Sequence, residues 1–478
     1  MTAGRTPGGI ALVLLGAIAC APPARPPAPR ASAIDTLPMR AHAFFLAHDL
    51  LLGRGTGTLG AEVAALYIEA QCRARGLRPV GATYAHPVPL DHVVPRPTET
   101  SLRVGDRQFT VARDFLIAGG TPAGLTGFAG AAVAVGSADT IRRHPDALPV
   151  LDGAVAVVPG VVRADVAALL ARRGAIGIVQ VVDDPGTYEL YAASRGTTLT
   201  VLREAVPSSF FGELPSVIAG PAVAAALGQR GVRIELAAAF DRSPMPAANV
   251  ACLLPGVDAG RRDTAIVFTA HFDHLGVSLP DAAGDSIYNG FSDNAAGVAM
   301  LFAIADALRR RPEGGLRYSV LFLFFTGEER GLLGSDYFVA RPPYPLERMR
   351  ALINLDAGAP PAPPWTWRLA GGEDNRLGDL ARDVASAQGW SATVSAATAN
   401  SDYFPFARMG VPAVFIVPGP APYQGLSADS SQALRRRWDH YHLPADRYDD
   451  AFPFRGLQRY AEYALSIAEA VDGPARAR

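Results

Sequence analysis

The 478-residue sequence has no lysine, so all 44 of its basic residues are arginine. Together with the abundance of alanine, glycine and proline, this reflects a GC-rich genome rather than a function. The arginines are balanced by 45 acidic residues, and a net charge of −1 provides no field favouring nucleic acid or acidic substrates. Cysteine is scarce. Cys20, Cys72 and Cys252 are too few for a disulfide framework and lack zinc-finger spacing. Cys72 falls on a helical pattern and Cys252 on a strand pattern, where both read as buried free thiols. The apolar run at the amino terminus falls short of the roughly 20 residues that span a membrane. No convincing internal repeat is present.

What the chain does have is length for two or three packed domains, with 49% hydrophobic and 19% charged residues. Its start reads as an export signal: Arg5, an apolar core from Ile10 to Ile18, then Ala17-Ile18-Ala19-Cys20. That last tetrapeptide resembles a bacterial lipoprotein cleavage box, with Ala17 where leucine is usual. The expectation is a signal over 1–20 and a periplasmic or extracellular protein, either anchored by a lipid on Cys20 or simply secreted. Residues 21–35 are Pro-rich and read as a tether.

From Thr36 to Val80 the pattern is helical, with Val63, Leu66, Tyr67 and Ala70 spaced along one face. Residues from about 100 to 240 alternate short strand-like runs (Gly153–Val158, Ile176–Val182, Leu214–Ile218) with an Ala/Leu helix over 164–173. They show no cluster of His, Asp and Glu, so this part reads as a compact α/β insert without chemistry of its own. From Asn249 on, strand and helix alternate again. That alternation predicts an α/β fold with a central mixed, mostly parallel sheet flanked by helices.

The chemistry gathers at strand ends in this last part. The apolar run Tyr318–Phe325 is followed by Glu328 and Glu329, the strand Thr264–Ala270 by His271-Phe272-Asp273, and the strand Ala351–Leu355 by Asp356. Open α/β sheets build their sites at the carboxyl ends of strands. Adjacent buried acids there are costly unless a cation or a proton task holds them. Each motif alone has a bland reading: His271 and Asp273 as a turn, Asp293 as a helix N-cap, the Glu pair as a charged loop, His274 as a loop residue. The segment from Arg435 to Asp446 reads as a polar loop whose His440 competes with His442. Jointly, two His, two Asp and one Glu with a second Glu to spare are what a two-zinc site with a bridging Asp and a proton acceptor requires.

These motifs resemble those of the co-catalytic di-zinc exopeptidases, a family that includes bacterial leucyl aminopeptidases, glutamate carboxypeptidase and the transferrin receptor ectodomain. The resemblance is carried by Ala270-His271-Phe272-Asp273-His274-Leu275-Gly276, Asp293-Asn294-Ala295-Ala296-Gly297, Gly327-Glu328-Glu329-Arg330-Gly331-Leu332-Leu333-Gly334-Ser335, Asn354-Leu355-Asp356 and Tyr441-His442. The stretch Leu51-Leu52-Gly53-Arg54-Gly55-Thr56-Gly57-Thr58 is similar to the family's amino-terminal portion. The insert resembles a protease-associated domain.

The resemblance implies a zinc-exopeptidase (phosphorylase/hydrolase-like) fold, with its amino-terminal part at 36–98, the protease-associated insert at 99–242 and the catalytic part at 243–478. It implies two Zn2+ ions per chain, bridged by Asp293. His271 and Asp356 complete one, Glu329 and His442 the other, with the peptide bond after Asp293 often cis. Glu328 is then the general base toward a metal-bridging water, Asp273 orients His271, and Tyr441 hydrogen-bonds the oxyanion. Ser401 to Phe406 matches a segment near the substrate cleft, with Tyr403 where a His is common. Peptide is the expected substrate and aminopeptidase the expected activity. A glutamate carboxypeptidase-like enzyme, a non-catalytic receptor-like protein and a single-metal cyclising transferase are the alternatives. Side-chain preference and oligomeric state are not legible.

Overall fold

Runs rich in β-branched and aromatic residues set the centre of the molecule. In the computed structural model, which describes residues 1, 2, 4, 32–119, 127–195, 198–228 and 231–473, these runs become fully buried strands. Of the segment expected as a signal only residues 1, 2 and 4 are described, and Cys20 and residues 21–31 of the expected tether lie outside the described residues.

In chain order the elements that frame the site are α1 (Thr36–Leu46), α2 (Leu59–Ala74), β1 (Ala248–Leu254), β2 (Ala265–His271), α3 (Ala296–Arg309), β3 (Ser319–Phe325) and α4 (Leu333–Ala340). They continue with β4 (Met349–Asn354), β5 (Thr366–Ala370), α5 (Arg376–Ala387), β6 (Ser391–Ser395), α6 (Tyr403–Arg408), β7 (Ala413–Pro418), α7 (Ala428–Trp438) and α8 (Arg455–Asp472). The sheet runs β1-β3-β2-β4-β7-β5-β6, with two short strands before the insert, Arg78–Pro79 and Ala85–Pro87, paired to β1. The central strands β3, β2, β4 and β7 are parallel, and β1 and β5 join them antiparallel. This is the mixed sheet the alternation predicts.

Period-two alternation serves both faces of that sheet. On β3, Val320, Phe322 and Phe324 pack with α1, α2, α3 and α8, while Leu321, Leu323 and Phe325 pack with Phe338 of α4 and Phe406 of α6. Helix α3 is buried along nearly its whole length. Its partly exposed Asp306 is paired with Arg75 at 2.9 Å.

Three expectations need correction. The buried face of α2 is Ala61, Ala64, Ile68 and Cys72, whereas Leu66 is exposed; small residues let the helix lie close on β1. That approach brings Cys72 against Cys252, and the two are disulfide-bonded rather than free. Finally, Arg435–Trp438 is not loop but the last turn of α7, capped at its start by Ser427.

The insert residues form their own eight-stranded sheet between Ser101 and Ala237. Strands Val155–Pro159, Gly177–Val181 and Ser216–Ala219 run parallel in it, and helix Ala164–Arg172 covers it. The segments leading in and out, Leu90–Pro95 and Phe240–Met245, pair antiparallel with each other.

Candidate metal centre

The parallel register fixes which side chains meet. His271 ends β2 opposite Phe325 of β3, and Thr269 lies opposite Asn354 of β4, so His271, the Glu328-Glu329 pair and Asp356 all emerge at one edge. Asp293 arrives from the turn ahead of α3, and the peptide bond joining it to Asn294 is cis. Asp446 accepts the main-chain N–H groups of Ser292 and Asp293 at 2.9 and 3.2 Å, and Asn294 donates to the Leu355 carbonyl at 3.0 Å.

All five residues expected as metal ligands come together. They form two groups that share Asp293: His271, Asp293 and Asp356 in one, and Asp293, Glu329, His442 and His274 in the other. His271 Nε2 lies 2.8 Å from Asp356 Oδ1 and 3.1 Å from Asp293 Oδ1. His442 Nε2 lies 3.0 Å from Asp293 Oδ2 and 3.3 Å from Glu329 Oε2. Asp293 thus turns one carboxylate oxygen to each group. Ligands about 2 Å from a tetrahedral zinc stand about 3.3 Å from one another, which these spacings match.

His274, read from sequence as a loop residue, belongs to the cluster. It is fully buried, with Nδ1 2.6 Å from Glu329 Oε1 and 3.8 Å from Asp293 Oδ2. Its signal was present in the spacing of His271-Phe272-Asp273-His274: the chain turns right after β2 and returns the second imidazole to the same edge. The rival His440 points away and bonds the Arg437 carbonyl at 2.9 Å.

Asp273 touches His271 differently from the expectation. The imidazole Nδ1 is 3.1 Å from the Asp273 main-chain carbonyl and 3.7 Å from its carboxylate. The carboxylate instead accepts from the Thr56 hydroxyl at 2.6 Å and from the Glu328 main-chain N–H at 3.3 Å. It therefore ties the amino-terminal segment to the Glu328 loop. Glu328 itself reaches within 4.0 Å of His271 Nε2. Tyr441 is exposed and its ring stacks on His442, with centroids 3.8 Å apart.

A second layer of contacts was missed from sequence. Ser401 donates to the free oxygen of Asp356 and accepts from Asn354 at 2.6 Å, and Asn354 accepts from Thr269 at 2.6 Å. Arg54 is wholly buried and donates to the carbonyls of Leu46, Phe272 (2.7 Å), Asn289 (2.6 Å) and Gly290 (2.9 Å). Of these, Phe272 directly follows His271, and Asn289 and Gly290 come shortly before Asp293.

The electrostatics favour positive charge in the cluster. Burial works against the Asp293 anion, but contacts from His271 and His442 hold it well below the usual range. Burial and Asp293 push Glu329 up, yet His274 and His442 bring it down to about 2. Burial opposes the His442 cation, but Asp293 and Glu329 push it up to about 10. Burial pushes Glu328 well above the glutamate range; His271 opposes this, and Asp356 and Glu329 add to it.

Two observations fit divalent cations here. The donors are imidazole and carboxylate, the mixed set zinc accepts. And His442 Nε2, though buried beside two carboxylates, makes no hydrogen bond of acceptable angle, as expected of a lone pair directed at a shared central ion rather than at either oxygen.

A family model described as Peptidase family M28 matches residues 249–468. No curated protein matches the chain. Among solved structures, the aminopeptidase from Aneurinibacillus sp. strain AM-1 is 20% identical with a TM-score of 0.54, over 91% of this chain and 93% of that one. BSAP, a zinc aminopeptidase from Bacillus subtilis, is 19% identical with a TM-score of 0.48, over 90% of this chain and 94% of that one. The Peptidase M28 precursor from Shewanella amazonensis SB2B is 18% identical with a TM-score of 0.47, over 92% and 96%. The stretch that holds every donor of the cluster, residues 249–468, is thus the stretch that matches Peptidase family M28.

Proposed function

We propose that the chain is an exported aminopeptidase that works with two zinc ions, held by His271 and Asp356 on one side, Glu329 and His442 on the other, and Asp293 between them. The observation that carries this reading is the convergence of these donors into two groups sharing one carboxylate, with an additional glutamate beside them. Bound zinc would supply Lewis acidity toward the scissile carbonyl and bring the pKa of a water toward neutrality. Glu328 takes the proton of the attacking water and returns it to the leaving amine. Asp273 fixes the start of the Glu328 loop through the Glu328 N–H, and Tyr441 stands at the rim to meet the oxyanion. His274 holds Glu329 in place by its short contact.

The preference for an amine end over a carboxylate end has a physical basis. Arg54, whose charge reaches Asp273, Asp293 and Glu329, is buried and committed to four main-chain carbonyls, so it is not available to a substrate carboxylate. The solved structure with the TM-score of 0.54 is described as an aminopeptidase, which points the same way.

The deciding assay compares an unblocked aminoacyl-anilide with an N-acylated acidic dipeptide, alongside zinc content by elemental analysis. Hydrolysis of the anilide with about two zinc ions per chain is expected. Cleavage of the acylated dipeptide alone would make the enzyme a carboxypeptidase, and absence of both activities in the zinc-loaded protein would leave a binding protein.

A further inference from the structure

Peptidase loops that carry a general base need a rigid support, because a small displacement of the base is costly in rate. In this chain part of that support comes from the insert. Gly327 and Leu332 sit in left-handed conformations, at φ 71° and 63°, and Gly331 has φ 102°. The N–H groups of Gly331 and Leu332 close back on the Glu328 carbonyl at 2.8 and 3.0 Å, and that of Leu333 on Gly327 at 2.9 Å. At Gly331 the nearest atoms facing this tight turn come from the insert. The cover is Phe211: a Cβ built on Gly331 would lie 2.5 Å from the Phe211 ring.

Phe211 belongs to the turn 208–211, which the insert fixes from behind. The Ser208 hydroxyl accepts the N–H groups of Phe210 and Phe211 at 3.3 and 3.0 Å. The Phe210 carbonyl accepts the Ala164 N–H at 2.9 Å, at the start of the insert helix. On the peptidase side the same turn is gripped twice more. The Ser209 N–H donates to the buried Asp336 carboxylate of α4 at 2.8 Å, and Arg408 of α6 donates to the Ser209 hydroxyl at 3.0 Å. Beneath it, Leu333 packs with Leu202 and Val206 and with Val88 and Leu90 of the entering segment.

We infer that the insert turn 208–211 is a positioning device for the Glu328 loop, with Phe211 seated on Gly331 and Ser209 bound to Asp336 as its two contact points. The inference rests on the proposed role of Glu328. It gives the insert a task at the site although none of the insert's described residues joins the metal-type clusters.

The test uses the full-length zinc-loaded protein and three variants. Phe211→Ala opens the face of Gly331, Phe211→Leu restores part of the cover, and Val223→Ala weakens an apolar cluster of the insert that contains no residue of the turn. Turnover and KM are measured on the aminoacyl-anilide, and hydrogen exchange is read at the amides of Gly331, Leu332 and Leu333. In Phe211→Ala, kcat is expected to fall about tenfold to a hundredfold with KM within about twofold, and the three amides to exchange about tenfold faster. Phe211→Leu should lie between it and the native chain, and Val223→Ala should match the native chain in kcat. Unchanged exchange in Phe211→Ala overturns the inference, as does faster exchange with native kcat, or an equal loss of kcat in Val223→Ala. If the native chain fails to cleave the anilide, the proposed activity falls, and exchange alone decides whether the turn holds the loop.

Discussion

Replacing Arg54 by methionine should destabilise the protein and weaken its metal site together. The guanidinium is completely buried and joins three stretches of chain through the carbonyls of Leu46, Phe272, Asn289 and Gly290. Hydrogen bonds to a charged group contribute about 1.5–3 kcal/mol each, so four are worth about 6–12 kcal/mol before costs. Against this stands the desolvation of the cation, which brings its pKa down to about 10 even with Asp446, Asp273, Asp293 and Glu329 in reach. The net loss on removing one partner of a buried charge network is about 3–5 kcal/mol, because carbonyls are left without donors. The unfolding entropy is about 2.1 cal/mol/K per residue, and the compact unit Ala33–Arg478 has 446 residues. Each kcal/mol then moves Tm by about 1 °C, so Arg54→Met should lower Tm by about 3–5 °C. Phe272 lies between His271 and Asp273, and Gly290 three residues before Asp293, so zinc affinity should also fall, by about tenfold to a hundredfold. Circular dichroism on heating and competition with a chelator read the two effects. Arg54→Lys should recover a part only, since one ammonium cannot span carbonyls from three segments. A Tm within about 1 °C of native and an unchanged zinc affinity in Arg54→Met would refute the reasoning.

Other outcomes follow from the same geometry. Glu328→Gln should keep zinc while losing about 10²–10⁴ in kcat; near-native turnover would remove Glu328 from the proton path. His442→Ala should lower zinc content by elemental analysis whereas His440→Ala should not, and the reverse result would exchange their roles. Burial pushes the Asp336 carboxyl up to about 7, with the Ser209 contacts and Arg408 opposing. An acid raised in the fold binds its proton more tightly there than in the unfolded chain, so its contribution is full below pH of about 4 and is lost as pH rises toward 7. Urea unfolding at pH 5 and pH 8 should therefore show a loss that Asp336→Asn abolishes; equal pH dependence in the two proteins would show that another group titrates.

Much of the site could be read from strand ends, because the ligand types stand one or a few residues beyond apolar runs whose burial is unambiguous. Strands β2, β3 and β4 were bounded to within a few residues for the same reason. The strands Thr366–Ala370 and Ser391–Ser395 were missed, since their exposed and half-buried positions dilute the apolar signal. Helix α7 was hidden by its run of arginines, of which Arg436 and Arg437 are exposed while Arg435 donates to the Ala421 carbonyl. His274, Arg54 and Ser401 escaped for a different reason: their roles depend on what lies opposite them in space, and a polar residue near a motif looks the same in sequence whether it is buried or not. The Cys72–Cys252 bond falls in this class too, being 180 residues apart.

The position of Arg54 along the chain has a consequence for any dissection of the enzyme. The family match begins at residue 249 and contains every metal-type donor of the cluster, yet the guanidinium that anchors those loops, and the Thr56 hydroxyl on Asp273, come from a segment some 200 residues earlier. A fragment cut at the match boundary would carry a full set of ligands on unanchored loops. During synthesis the centre likewise has to wait for its oldest part, already made, to be rejoined by its youngest, with the whole insert emerging in between.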